Sequence, residues 1–178
     1  NYRTTQFIDD FKDVPRVIMT ATMTNFIECD LRKLYRLADA TKFYTLMNRP
    51  NIHYSVVHTR GADLDQLSVD FADFIREKFQ RPVSGLIYCW ARDSTEIVMK
   101  EMTKIMPGWT FGVFHADRPS KEKLATLQGW MAGTINVIVC TIAFAMGINN
   151  ACVRFVIHAD MPDTLEGFVQ ESGRAGRD

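Results

Sequence analysis

From residue 52 onward, short runs rich in β-branched and aromatic residues alternate with stretches whose apolar residues recur every three or four positions. The runs are IHYSVVH (52–58), SGLIYCW (84–90), WTFGVF (109–114), INVIVC (135–140) and VRFVIH (153–158). Between them Leu64, Leu67, Phe71, Phe74, Ile75 and Phe79 mark one helical stripe, and Leu124, Leu127 and Met131 another. Strand and helix in regular alternation predict an α/β fold, a parallel sheet covered by helices on both faces. Asp93 with Glu96 and Asp163 with Glu166 have capping-box spacing. Pro119-Ser120 and Gly133 predict the start and end of the helix between.

Residues 1–47 read differently, as one strand, VPRVIMTA (14–21), and one helix carrying Ile27, Leu31, Leu34 and Ala38. A single β-α pair cannot bury its own core. The expectation is the tail of a preceding α/β domain over 1–47 and a second domain over 48–178. LMNRPN (46–51) is the boundary, with Pro50 favouring extended chain.

Bulk composition narrows the function only a little. Lys+Arg and Asp+Glu stand at 21 each, so any anion-binding surface must be a local patch rather than an overall field. Cys29, Cys89, Cys140 and Cys152 are far apart and form no CxxC pair, which predicts reduced, mostly buried thiols and no zinc site. No apolar stretch approaches the roughly 18 residues of a membrane helix. An intracellular protein without a membrane partner is expected.

In parallel α/β sheets ligands gather at the carboxyl ends of the strands, and four features fall there. Thr141, Gly147 and Asn149 follow INVIVC, though taken alone a glycine-containing loop accounts for them better. Arg92 follows SGLIYCW at a helix start suited to phosphate, or is an exposed loop arginine. His115 ends WTFGVF, where a lone histidine is more often structural. Last comes QESGRAGRD (170–178). Two glycines free the backbone around Arg174 and Arg177, whose planar donor forks match phosphate oxygens. An interdomain salt bridge would also use them.

Taken in order, VIMTATMT, NRPNIHY, SGLIYCWARDSTE, FHADRPSKEK, VIVCTIAFAMGINNACVRFVIHADMP and GFVQESGRAGRD resemble the RecQ family of superfamily 2 DNA helicases. The resemblance covers essentially the whole chain. It implies two RecA-like domains with ATP and Mg2+ between them, this chain holding the end of the first and most of the second. It further implies that Thr20, Ala21 and Thr22 couple the nucleotide cleft to DNA, and that Arg92, His115 and Thr141 face DNA. Gly147, Asn149, Gly173 and Gly176 would border the nucleotide. Gln170, Arg174 and Arg177 would form the catalytic motif, Arg177 being the arginine finger.

The chain departs from the family in having Ala145 where glycine is usual and Asp117 where a small glycine is common. It contains no GxxxxGKS or GxxxxGKT phosphate loop and no Asp-Glu pair. The expectation is therefore half an ATPase, inactive alone. In the complete protein it would belong to a 3′ to 5′ helicase acting on single-stranded or partly duplex DNA, nuclear if the source is a eukaryote. Two rivals stand beside it: the second domain of an RNA helicase of the same superfamily, and a non-catalytic nucleic-acid-binding or interaction domain that keeps the fold.

Overall fold

The computed structural model describes residues 14–20, 23–37, 39–45, 48–145 and 150–177. The chain divides into two compact units, Asn1–Asn48 and Arg49–Asp178.

In the first unit, helix α1 (Asn25–Leu34) begins where the Thr24 side chain accepts a hydrogen bond from the Ile27 amide at 3.3 Å. Arg32 and Lys33 sit in the last turn, where the helix dipole favours cations. Glu28 binds Arg32 at 3.0 Å and Lys42 at 2.5 Å. The Lys42 and Arg32 bonds hold its carboxyl below the usual range. Leu31 is buried, as its place in the stripe predicts. The strand expected over 14–21 is not found: residues 14–20 join no ladder, and Ala21 lies outside the described residues. A strand must exchange hydrogen bonds with a neighbour, and no other strand lies among the described residues of this unit. Ala38 also lies outside the described residues.

The second unit runs α2 (Leu64–Lys78), β1 (Ser84–Tyr88), α3 (Arg92–Ile105), β2 (Phe111–Phe114), α4 (Ser120–Met131), β3 (Val137–Cys140), β4 (Val153–His158) and α5 (Leu165–Ser172). The four strands are parallel in the order β2-β3-β1-β4. Period-two alternation sorts the side chains of β1 and β3 onto two cores, and in β4 a register shift opposite Ser84 and Gly85 puts Val153 and Phe155 on different faces. Ile87, Val137, Val139 and Phe155 pack with Phe71 and Ile75 of α2 and Val98 and Met102 of α3. Leu86, Ile138, Cys140 and Val153 pack with Trp130 of α4, Phe144 and Ala175. Helices thus cover both faces, as the alternation predicts. Gly85 permits one close approach: a Cβ there would stand 2.2 Å from the ring of Phe155.

Four local expectations are corrected. Residues 52–58 form no strand, and Val56 is 93% exposed. Alternating residues make a strand only where an edge pairs with them and one face is covered. In α4, Leu124 and Met131 of the expected stripe are half-exposed, whereas Trp130 is 2% exposed and holds the core side. Helix α3 has Ala91 rather than Asp93 as its N-cap, with no side-chain capping bond because alanine carries no acceptor, and Glu96 pairs with His115 and Arg118 instead. The cap of α5 is Thr164 rather than Asp163, its hydroxyl accepting from the Gly167 amide at 3.0 Å. Helix α4 starts at Ser120 after Pro119, and its C-cap Ala132 is followed by Gly133, in line with the predicted limits.

Candidate functional site

The carboxyl ends of the strands form one rim, because all strands run the same way. At the end of β3, Thr141 is buried. Its amide donates to the Phe114 carbonyl at 3.2 Å, and its hydroxyl accepts from the Ala143 amide at 3.4 Å. A short 3₁₀ turn, Ile142–Ala145, follows. Gly147 and Asn149 lie outside the described residues, as do Ala21 and Thr22; Thr20 is exposed. Beyond β1, the exposed Trp90, Ile142 and Met161 surround a pocket floored by Tyr88, Cys89 and Glu171. The Trp90 amide donates to Asp160 at 2.9 Å.

Arg92 opens α3 and makes an exposed ion pair with Asp117. His115 is buried at the end of β2, with Nε2 3.1 Å from Glu96 Oε1. Arg118 grips the same carboxylate with both arms, Nε at 2.8 Å and Nη2 at 2.6 Å, and donates to Glu122 at 2.8 Å. Burial alone would raise the Glu96 carboxyl. The bonds from Arg118 and His115 outweigh it and hold Glu96 below its usual range. The sequence marks Glu96 only as a capping-box residue and does not single out Arg118; their pairing joins residues 22 apart, beyond any helical spacing.

The last turn answers the question raised by its two glycines. Helix α5 ends at Ser172, Gly173 caps it, and the chain turns through Gly176 at φ +60°. The Gly176 amide donates to the Val153 carbonyl at 3.0 Å, tying the turn to β4. The two arginines separate here. Arg174 is buried, its guanidinium 5.9 Å from the Phe144 ring centroid. Its charge partly offsets the effect of burial on Tyr88 and Cys140, whose acidic groups are nonetheless pushed well above their ordinary values. Arg177 is exposed, and its Nε donates to the Gly173 carbonyl at 3.1 Å. Desolvation, then the like charges of Arg174 and Arg49, lower the Arg177 pKa from its usual value. A guanidinium in that position is better stabilised once an anion arrives, so the turn suits phosphate oxygens. Gln170 is exposed on α5 one turn away.

Residues of the boundary segment, to which sequence reasoning gave no role at the site, join this turn. Arg49 donates to the carbonyls of Ala175, at 3.1 Å, and Gly176, and Asn51 donates to the Gly176 carbonyl at 2.6 Å. Nearby, His158 meets Glu171 at 3.0 Å and stacks on Tyr88 at 5.5 Å. Among the described residues, no group of three or more His, Cys, Asp or Glu is placed to hold a metal ion, and no helix is long and apolar enough to cross a membrane.

Residues 69–178 match the family described as helicase conserved C-terminal domain. The chain is 38% identical over 169 residues to ATP-dependent DNA helicase Q-like 2 of Arabidopsis thaliana, covering 94% of this chain and 23% of that protein. It is 34% identical over 168 residues to ATP-dependent DNA helicase Q1 of Pongo abelii, covering 94% and 25%. It is 33% identical over 172 residues to ATP-dependent helicase SGS1 of Saccharomyces cerevisiae, covering 97% and 11%. The chain therefore spans about a quarter or less of these relatives. Among solved structures, S. cerevisiae Dbp5 bound to RNA and ADP BeF3 is similar at a TM-score of 0.74 and 16% identity, covering 96% of this chain and 45% of that one. Mss116p DEAD-box helicase domain 2 bound to an RNA duplex is similar at 0.56 and 16%, covering 64% and 44%. At such identities the likeness is one of fold, the RecA-like sheet with helices on both faces.

Proposed function

Because the chain belongs to the helicase C-terminal domain family, with relatives of the RecQ kind, we propose that it supplies the second motor domain of an ATP-dependent DNA helicase. In this reading residues 48–178 are that domain and residues 1–47 close the first RecA-like domain. The observation that carries the reading is the exposed Arg177 at the end of a turn that contains Arg174 and is gripped by Arg49, the charges of both acting on it.

Hydrolysis breaks the bond between the γ-phosphorus and the bridging oxygen as a water oxygen attacks, and negative charge spreads over the transferring group. Catalysis of this kind is largely positioning and charge stabilisation. Arg177 would place its planar fork against that charge as the arginine finger. Arg174, packed inward on Phe144, would anchor the turn to the sheet, and Gln170 would support it from α5. Gly173 and Gly176, with Gly147 and Asn149, would border the nucleotide. The Mg2+ ion and the remaining phosphate contacts are assigned to the first domain.

DNA is assigned to the rim at Arg92, Thr141 and His115. There Arg92 would exchange Asp117 for a backbone phosphate, while His115 and Glu96 hold the loop that carries Asp117. Thr20, Ala21 and Thr22 would couple the two sites, so that closing on ATP and reopening after hydrolysis moves the domains along a strand. The 3′ to 5′ direction is proposed on family resemblance alone.

Phosphate release by the complete protein, measured with single-stranded DNA, with RNA and with neither, tests the reading. DNA should stimulate strongly and RNA weakly, and residues 1–178 alone should hydrolyse no ATP. Stimulation by RNA in preference to DNA would favour the RNA-helicase reading. A complete protein without hydrolysis under any condition would favour the non-catalytic domain.

A further inference from the structure

The turn that presents Arg177 is held from a segment 125 residues earlier in the chain. Arg49 spreads its guanidinium across that turn, donating from Nη2 to the carbonyls of Ala175, at 3.1 Å, and Gly176, with Nη1 at 3.5 Å from the carbonyl of Gly173. Asn51 donates to the Gly176 carbonyl at 2.6 Å, and its own Oδ1 accepts from Arg49 Nε at 3.3 Å. The Gly173 carbonyl also receives Arg177 Nε at 3.1 Å. The carbonyl on which Asn51 and Arg49 converge belongs to the peptide unit that joins Gly176 to Arg177. Its orientation sets the direction in which the Arg177 side chain leaves the backbone. The amide of Gly176 is held from the other side by Val153.

We propose that Arg49 and Asn51 are positioning residues for Arg177, fixing the peptide plane from which its guanidinium projects. The proposal rests on the reading of Arg177 as the arginine finger. Its physical basis is that an arginine fork can hold several carbonyls in one plane, which a lysine ammonium cannot do. Accuracy matters at such a site, since about 1 Å of misplacement can lower turnover about a hundredfold. The Arg49 charge also contributes to the like-charge pressure on Arg177.

The test is a double-mutant cycle on DNA-stimulated ATP hydrolysis in the complete protein, with Arg49→Lys, Arg177→Ala and the double variant, each also measured for ATP affinity and thermal stability. Arg49→Lys should lower kcat about tenfold or more, with ATP affinity changed less than about twofold, and should have no further effect once Arg177 is alanine. Asn51→Ala, a surface change, should show the same pattern more weakly and carries the test if Arg49→Lys does not fold. Equal kcat for Arg49→Lys, Asn51→Ala and wild type, alongside collapse in Arg177→Ala, would overturn the positioning role and leave the finger standing. Losses that multiply in the double variant would mean that Arg49 acts apart from Arg177, and would also overturn it. Intact kcat in Arg177→Ala would remove the finger reading and this inference together.

Discussion

Asn51 Nδ2 lies 2.6 Å from the carbonyl oxygen of Gly176, and a Cβ added to Gly176 would stand 2.7 Å from that same nitrogen. The contact and the glycine therefore require one another. Gly176 also adopts φ +60°, a left-handed conformation that costs an ordinary residue about 1–2 kcal/mol.

Gly176→Ala should consequently destabilise the fold by about 2 kcal/mol, the backbone strain adding to the loss of the Asn51 bond as that side chain swings aside. Denaturant unfolding of wild type and variant checks this. A change below about 0.5 kcal/mol would mean the turn relaxes without strain.

The alternation of β-rich and helical patterns between residues 64 and 172 was legible: each strand there fell inside an expected run, α2 lay on its expected stripe, α4 kept its expected limits, and α3 and α5 began beside the expected capping boxes. Burial explains why: strands covered on both faces, such as β3 with all of Val137–Cys140 buried, read as continuous apolar runs. Residues 14–20 and 52–58 have similar composition but no neighbouring strand, and no local pattern reports a missing partner. The rim was legible as strand ends. Its internal pairings were not, because Arg49 with Gly176, Arg118 with Glu96 and Arg92 with Asp117 join residues whose proximity depends on strand order. The inward turn of Arg174 and the outward turn of Arg177 likewise follow from where β4 and Phe144 lie.

Thiol chemistry should separate the four cysteines two by two. Burial, and then the Asp160 charge, push the Cys89 thiol up to about 12, and burial raises Cys140 well above its usual value, while Cys29 and Cys152 are exposed. A raised pKa keeps the thiol protonated below that value, and the thiolate is the reactive form. Iodoacetamide at pH 8 should modify Cys29 and Cys152 in the native chain, and Cys89 and Cys140 only after unfolding. Rapid native labelling of Cys89 would contradict its place in the core.

The ion pair between Arg92 and Asp117 leaves both side chains more than half exposed, so it contributes about 0–1 kcal/mol to stability. On the proposed DNA rim its loss should matter more to binding. Asp117→Ala should leave the melting temperature nearly unchanged and tighten single-stranded DNA binding several-fold at low salt. It should also steepen the plot of log affinity against log salt by up to about 0.7, the value for one added phosphate contact. Arg92→Ala should act in the opposite sense. Fluorescence anisotropy across a salt series reads both, and identical slopes for all three proteins would remove Arg92 from the DNA surface.

The central claim is that Arg177 meets charge that develops only as the phosphoryl group transfers. The most direct measurement is kcat for DNA-stimulated ATP hydrolysis by the complete protein carrying Arg177→Ala or Arg177→Lys, with ATP affinity and thermal stability taken on the same samples. The account predicts that Arg177→Ala lowers kcat roughly a thousandfold or more while ATP affinity and melting temperature change little, and that Arg177→Lys stays substantially impaired because it lacks the planar fork. A lowered melting temperature with kcat per folded molecule intact would contradict it and return Arg177 to a structural ion pair.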